Sequence, residues 1–417
     1  MKKLFTEING KQVEIIAPNP NTSEYDTDKK QIFIIGSKGI PASYGGFETF
    51  VENLTEYKKS SRIRYHVARI STGNDDSRYF YNDAKCFTVP VPNIGAAKAI
   101  IYDIVALNTC IKYCKSRKSI ETPVFYVLAC RIGPFMWYFK RKIKKLNGVL
   151  YVNPDGHEWK RKKWSKPVKM YWKFSEKHTV KNADLLICDS KNIEKYIKKT
   201  YKKYSPKTTY ISYGTDTEPS LIRDNNPEYT KIKKRLSISP GNYYLIVGRF
   251  VPENNFKLII REFMKSNTKK DLVIITTNND KLRENLSDEL HYNSDKRIKF
   301  SSPVYNTEIL KKIREDAYGY IHGHEVGGTN PSLLEAMAYT GLNLLFNVSF
   351  TREVAEDSGL YFTSSPGNLS SLIESADNMT HEDYNKYKTA SLKRVKVHYS
   401  WDSVVDKYED LFLNSKN

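Results

Sequence analysis

The sequence has little of what secreted or membrane-spanning chains depend on. Its five cysteines (Cys86, Cys110, Cys114, Cys130 and Cys188) are odd in number, form no C-x-x-C pair and all lie in the first half. That pattern predicts reduced thiols rather than a disulfide framework, and a cytoplasmic location. No apolar run is long enough to cross a bilayer; the best, residues 94–111, is interrupted by Lys98, Asp103 and Asn108. Met1-Lys2-Lys3 leads into Thr6-Glu7-Ile8-Asn9-Gly10 without an apolar stretch, so a signal peptide is not expected. Carboxylates are also scarce. Forty-seven Asp and Glu face 67 Lys and Arg, a formal charge of +20. Such a chain attracts polyanions: nucleic acid, anionic lipid or phosphorylated substrates. RNP, KH and helix-turn-helix patterns are missing, which argues against nucleic acid as a partner. Metal-ligand spacing is missing too. Asp26-Thr27-Asp28 imitates a D-x-D motif but follows no strand, and His322 and His324 have no Cys or acidic partner at ligand spacing, so no metal and no cofactor are expected.

What is present is a globular chain. It has 417 residues, 40% of them hydrophobic and 13% aromatic, enough burial to offset chain entropy and enough length for two or three domains. Residues 1–30 read as a polar extension or short hairpin. Gln31-Ile-Phe-Ile-Ile-Gly36 is a buried strand opening into a glycine loop, and Phe47, Phe50, Val51 and Leu54 then recur at helical spacing. Strand–helix alternation continues through 65–70, 96–113, 124–128, 135–146, 149–152, 168–181 and 184–188, with Ser190 as the cap of a helix over 192–201. A second series starts near Tyr243, with later strands at 272–276, 298–300, 318–322 and 344–346. The polar stretch 217–241, with Pro219, Pro227 and Pro240, reads as the connection between them. Repeated alternation predicts an α/β protein with parallel sheets covered by helices on both faces. The boundaries read from it are an extension (1–30), a first Rossmann-like domain (31–216), a second (217–395) and a C-terminal segment (396–417) whose helix crosses back to the first. Two doubly wound domains of this kind enclose a cleft at their strand C-termini, where ligands bind.

Three segments carry chemistry. In Gly36-Ser-Lys-Gly-Ile-Pro-Ala-Ser-Tyr-Gly45-Gly46-Phe-Glu, glycines let backbone N–H groups approach an anion at a helix N-terminus, or simply form a tight turn. The segment is neither a P-loop nor a G-x-G-x-x-G. In Gly327-Gly-Thr-Asn-Pro-Ser-Leu-Leu-Glu335-Ala-Met-Ala, the N–H groups of Gly328, Thr329 and Asn330 can hold a diphosphate. Glu335, a turn further in, can accept ribose hydroxyls; a capped structural helix is the plainer reading. In Gly248-Arg249-Phe-Val-Pro-Glu-Asn254, Arg249 follows a buried strand and suits either a diphosphate or a surface ion pair.

The spacing of these three segments resembles the retaining GT-B glycosyltransferases of family four. The segments 34–50, Asn153-Pro-Asp-Gly-His-Glu-Trp-Lys-Arg-Lys-Lys-Trp164 and Tyr213-Gly-Thr-Asp216 are similar to one bacterial branch of that family, rhamnosyltransferases of rhamnose-polysaccharide and capsule assembly. The resemblance runs from about Gln31 to the C-terminus. It implies the GT-B fold, a dTDP-L-rhamnose donor, retention, and a lipid-diphosphate-linked acceptor at the inner membrane surface. It also implies Arg249 on the donor diphosphate, Glu335 on the ribose and Asp155 near the transferred sugar. Two positions depart from the wider family. Asn254 stands where a lysine is usual, and Gly327 where a glutamate is usual. Another donor such as UDP-glucose, or a catalytically inactive partner subunit, therefore stays open as an alternative.

Asp155 follows a buried strand and can orient or deprotonate an acceptor hydroxyl, with His157 and Glu158 as further candidates; a plain Asx turn is the structural alternative. Residues 137–145, including Lys140, Arg141 and Lys142, interleave cations with aromatics. So do residues 159–173, including Lys160, Arg161, Lys162, Lys163 and Trp164. Such surfaces suit anionic headgroups, and a solvated basic face is the alternative. The expected partners are thus a nucleotide-sugar, a lipid-linked acceptor and the anionic inner membrane surface, with peripheral attachment; the sequence leaves oligomeric state open.

Overall fold

The computed structural model describes residues 4–15, 28–43, 45–71, 75–117, 120–161, 164–326 and 328–416. Asp26, Lys162, Lys163 and Gly327 lie outside them. The chain divides into two compact units, residues 1–213 with 401–417, and residues 214–400.

The first unit is built on a ten-stranded sheet. Its strands are β1 (Leu4–Ile8), β2 (Lys11–Ile15), β3 (Lys30–Ile35), β4 (Ile63–Ser71), β5 (Arg78–Tyr81), β6 (Ala84–Pro90), β7 (Val124–Leu128), β8 (Val149–Asn153), β9 (Leu185–Cys188) and β10 (Thr208–Tyr210). They lie in the order β1-β2-β5-β6-β4-β3-β7-β8-β9-β10. From β6 to β10 every pairing is parallel. Helices α1 (Gly46–Glu56), α2 (Lys98–Lys115), α3 (Met136–Lys144), α4 (Lys166–Asn182) and α5 (Lys191–Thr200) form the crossovers. β3 is buried on both faces, as its unbroken apolar run requires. Its side chains alternate: Ile32 and Ile34 pack with Phe50, Val51 and Leu54 of α1. Phe33 and Ile35 face the cluster holding Ala106 and Ile111 of α2 and Phe139 of α3. The last helix, Trp401–Leu413, belongs to this unit and places Trp401, Val404, Tyr408 and Phe412 in the α1-side core. Each such fully buried large side chain contributes about 1.5–3 kcal/mol.

The short hairpin that the sequence allowed at the N-terminus is present, and its attachment to the sheet was not foreseen. β5 joins β6 antiparallel, and the N-terminal segment pairs onto it as the hairpin β1–β2. The hairpin turns at Asn9 and Gly10, both at positive φ, as an Asn-Gly turn favours. The Asn9 side chain then donates to the Pro41 carbonyl at 2.7 Å, bracing the glycine loop after β3.

The second unit holds six strands: β11 (Tyr243–Gly248), β12 (Asp271–Thr276), β13 (Ile298–Ser301), β14 (Gly319–His322), β15 (Asn343–Phe346) and β16 (Leu360–Phe362). All pair parallel, in the order β13-β12-β11-β14-β15-β16. This is the Rossmann order, with its switch point between β11 and β14. Its helices are α6 (Pro227–Leu236), α7 (Phe256–Lys265), α8 (Asp280–Leu290), α9 (Thr307–Glu315), α10 (Pro331–Tyr339), α11 (Ser349–Ala355), α12 (Asn368–Asp377) and α13 (His381–His398). The stretch read as a connection, 217–241, contains α6. Pro227 is its first residue, and Asn226 caps it by accepting from the Tyr229 N–H. A proline counted as a breaker is here a helix start.

Candidate functional site

In the first unit the switch point lies between β3 and β7, and the loops after both strands are tied together there. Arg131, after β7, donates to the Gly36 carbonyl at 2.9 Å and pairs with Asp103 of α2 at 3.0 Å. Asp103 is wholly buried, which pushes its carboxyl up to about 6 against the pull of Arg131. The glycine loop differs from expectation. Glu48, on the first turn of α1, folds back so that its carboxylate accepts the Lys38 N–H at 2.6 Å. The same carboxylate fills the space a side chain at Gly45 would need, and Gly45 sits at φ 137°. A carboxylate in the first turn of α1 is the arrangement its dipole favours.

The loop after β8 carries the three acid–base candidates, and the structure separates them. Asn153 accepts the Asp155 N–H at 2.8 Å, so Asn153 makes the Asx turn. Asp155 is half-buried, in the left-handed region (φ 60°), with one carboxylate oxygen accepting the Gly156 N–H at 2.7 Å. Burial first, then the nearby Glu158, raise its pKa; Arg161, the Gly156 N–H and Arg131 oppose that. Glu158 is consumed locally, by Arg161 and by the Trp164 indole N–H at 2.9 Å. His157 packs its ring on Tyr196, centroids 4.1 Å apart. Burial, then Lys160 and Lys173, lower it to about 4, so it is a neutral ring near pH 7. Beneath it, the buried Glu176 accepts from Lys173 at 3.1 Å, from Tyr196 at 2.5 Å and from Tyr201. Of these three candidates, Asp155 is the one whose side chain has no hydrogen bond or ion pair to another side chain and no ring contact among the described residues.

In the second unit the strand ends of β11 and β14 meet the start of α10. Ser332 and Tyr320 both donate to the Val247 carbonyl, at 2.9 and 3.0 Å, fixing α10 against β11. Asn330 caps α10 by accepting the Ser332 N–H at 2.9 Å. The N–H groups of Gly328 and Asn330 have no acceptor among the described residues, whereas Thr329 is buried and engaged. Arg249, one residue past β11, is exposed and forms no ion pair among the described residues. A guanidinium and amides before α10 that have no partner among the described residues, at one switch point, suit an anion with several oxygens. Asn254, a donor-binding candidate of the sequence, is tied to its neighbours. Its amide donates to the Arg249 carbonyl at 2.7 Å, and its oxygen meets His324 Nδ1 at 2.7 Å. Gly323 is glycine because a Cβ there would strike the Asn254 carbonyl.

Glu335 Oε2 pairs with Arg314 of α9 at 2.5 Å. Arg314 is 3% exposed and Glu335 38%. Sequence reasoning missed Arg314, since nothing in a lone arginine near a helix end marks it. It also missed a polar pocket beyond Arg249, lined by Phe250, Thr276, Thr277, Asn279, Arg283 and Phe300. There Thr277 accepts the Phe250 N–H at 3.2 Å, Asn279 donates to the Phe250 carbonyl at 3.0 Å, and the buried Thr276 hydroxyl has no partner.

The basic surface is redistributed as well. Lys140 turns to Asp184, Arg161 and Trp164 to Glu158, and Lys142 to Asn108 at 3.4 Å. Arg141 lies over the Trp137 ring, Lys142 over Tyr138 and Lys160 over Trp159. The exposed apolar side chains are Phe135, Trp137 and Tyr138 at α3 and Met170 and Phe174 on α4. The helices themselves carry nine lysines and arginines against the one buried carboxylate of Glu176. No helix among the described residues is long and apolar enough to cross a membrane.

Residues 29–216, just under half of the chain, match a family described as "Domain of unknown function (DUF1972)". No curated protein sequence matches. Among solved structures, the chain is similar to a sucrose-phosphate synthase from Thermosynechococcus elongatus (TM-score 0.73, 17% identity). It is also similar to a glycosyltransferase from Rickettsia africae (TM-score 0.69, 12% identity) and to Anabaena HepE in complex with UDP (TM-score 0.64, 11% identity). Each likeness covers 93% of this chain and 100% of the other. The fold is GT-B: two Rossmann-like parallel-sheet domains, as the strand pattern predicted.

Proposed function

We propose that this chain is a glycosyltransferase that binds a nucleotide-sugar in its second unit and transfers the sugar with retention. The observation that carries the reading is an exposed Arg249 after β11 and the N–H groups of Gly328 and Asn330 before α10, all without a partner among the described residues, at the switch point of a Rossmann sheet. In this reading Arg249 and those amides hold the donor diphosphate. Glu335 takes the sugar of the nucleoside, and the pocket at Thr276 and Thr277 takes the base. When the bond from the anomeric carbon to the diphosphate breaks and the bond to the acceptor oxygen forms, negative charge grows on the diphosphate, where Arg249 and the amides stabilise it. The acceptor proton passes to the leaving diphosphate, on the same face as the new bond, and Asp155 orients the acceptor hydroxyl. The Anabaena neighbour holds UDP, which supports a nucleoside-diphosphate site in this fold.

The resemblance of the segments 34–50 and 153–164 favours dTDP-L-rhamnose as donor and a lipid-diphosphate-linked sugar as acceptor. The exposed aromatics and cations of α3 and α4 suit the anionic surface such an acceptor sits in. Calorimetric titration with TDP, UDP and GDP, then turnover with the matching nucleotide-sugars, tests the reading. TDP binding that Arg249→Ala weakens at least tenfold is expected. Failure of all three nucleotides to bind at millimolar concentration would refute it.

A further inference from the structure

This inference rests on the diphosphate site proposed above and adds a residue to it. The polar side chains around the end of β14 have partners, with one exception. The Tyr320 hydroxyl donates to the Val247 carbonyl at 3.0 Å and meets Ser332 Oγ at 2.9 Å. His324 Nδ1 meets Asn254 Oδ1 at 2.7 Å, and Asn330 caps α10. The exception is His322. It is 5% exposed, and its Nε2 is closed off from solvent with no hydrogen-bond partner among the described residues. Burial, then the neighbouring His324, lower its pKa to about 3, so near pH 7 the ring is neutral, with one N–H and one lone pair. An unpaired polar group in the interior costs free energy, and a side chain needed only for packing would do better apolar.

The fold sets this ring beside the amides that precede α10. Side chains two apart on a strand share a face, and the rings of Tyr320 and His322 lie 6.0 Å apart at an interplanar angle of 27°. Tyr320 reaches Ser332, the second residue of α10. His322, nearer the strand end, lies level with the residues leading into that helix, where the N–H groups of Gly328 and Asn330 have no acceptor among the described residues. β11 and β14 pair with Leu245 opposite Tyr320, so Val247 stands opposite His322 and Arg249 follows two residues on. We infer that His322 is a further binding residue of the diphosphate site, donating one ring N–H to a phosphoryl oxygen of the donor. A neutral donor adds a hydrogen bond there without adding charge, and that bond strengthens as negative charge grows on the leaving diphosphate.

Two variants and two ligands test this in the full chain. His322→Leu should weaken UDP and inorganic pyrophosphate alike, by roughly tenfold or more, the loss of one hydrogen bond to a charged group. The same variant should keep or raise its thermal midpoint without ligand, because it removes an unpaired polar group from the interior. His322→Gln, which keeps an N–H donor, should lose less affinity than His322→Leu. In the wild type, the ring-nitrogen resonance of His322 should move when pyrophosphate is added. Wild-type affinity for UDP in a folded His322→Leu protein would overturn the inference and leave Arg249 and the amides as the diphosphate site. A ligand-free midpoint lowered equally in both variants would show an imidazole that serves the fold, and would overturn it too. If neither variant folds, a His322 resonance that ignores pyrophosphate overturns it. Binding of neither UDP nor pyrophosphate by the wild type would instead remove the diphosphate site itself, and the inference with it.

Discussion

Replacing Arg131 by methionine should destabilise the first unit strongly at pH 7 and weakly at pH 5. Arg131 is the counterion of Asp103, which has no solvent exposure. Without that counterion Asp103 holds its proton at pH 7, which adds about 1.4 kcal/mol to the cost of the lost hydrogen bonds, about 2–3 kcal/mol together. The pH dependence follows from Asp103. Burial raises its carboxyl from 3.8 to about 6 even with Arg131 in place. The folded protein thus holds a proton that the unfolded chain has released between roughly pH 4 and 6. Stability from this group is fully present below about pH 4 and falls by roughly 3 kcal/mol as the pH rises through about 6. In the variant the carboxyl is pushed higher still. At pH 5 Asp103 is then neutral in both proteins, and only lost hydrogen bonds remain, about 1–1.5 kcal/mol. Urea unfolding followed by tryptophan fluorescence at both pH values reads this directly, provided m is unchanged. An equal deficit at pH 5 and pH 7, or one below about 1 kcal/mol at pH 7, would refute the argument. The same substitution frees the Gly36 carbonyl, so the loop after β3 should exchange its amide hydrogens faster.

Arg249→Ala should weaken binding of the donor nucleotide by about 10- to 150-fold, the loss of one charge-assisted contact of about 1.5–3 kcal/mol; unchanged affinity in calorimetry would sink its assignment. Asp155→Asn should lose turnover while keeping that affinity, and near-normal turnover would return Asp155 to a turn residue. The His157 imidazole should titrate near pH 4 by NMR, its neutral ring contributing stability that is lost as the pH falls from 6.5 toward 4; a midpoint above 6 would contradict its packing on Tyr196. Trp137→Ser with Phe174→Ser should cut binding to anionic vesicles at least tenfold and leave turnover on a short soluble acceptor intact, and binding that ignores both the substitutions and salt would rule the surface out.

The strands buried on both faces were legible because a glycine or proline bounds each apolar run on at least one side. β3, β7, β8, β11 and β14 all lie where the pattern put them. β5 and β6 were not, since Arg78–Tyr81 and Ala84–Pro90 mix polar and aromatic residues at a half-exposed sheet end. The site was legible only as positions. Sequence spacing brings Arg249, Asn254 and the α10 loop to one switch point, but whether a side chain is free depends on neighbours far along the chain. Glu48 accepts from Lys38 of the glycine loop, Arg314 pairs with Glu335, and Asn254 braces His324 across 70 residues. Each of these is a tertiary contact between polar groups that no periodicity encodes. Lys140 shows the same limit at the surface: a lysine in a basic run whose charge is spent on Asp184.

The central claim is that the second unit binds a nucleotide-sugar for transfer, and turnover measures it most directly. The full chain would be incubated with dTDP-L-rhamnose, UDP-glucose and other nucleotide-sugars, each with a lipid-diphosphate-linked acceptor in anionic vesicles. Released nucleoside diphosphate and glycosylated lipid would be quantified for the wild type and for Arg249→Ala. The account predicts stoichiometric release and transfer from dTDP-L-rhamnose, with retained anomeric configuration, lost in the variant. Turnover untouched by Arg249→Ala, or no transfer from any nucleotide-sugar by a protein that binds none of them, would contradict it.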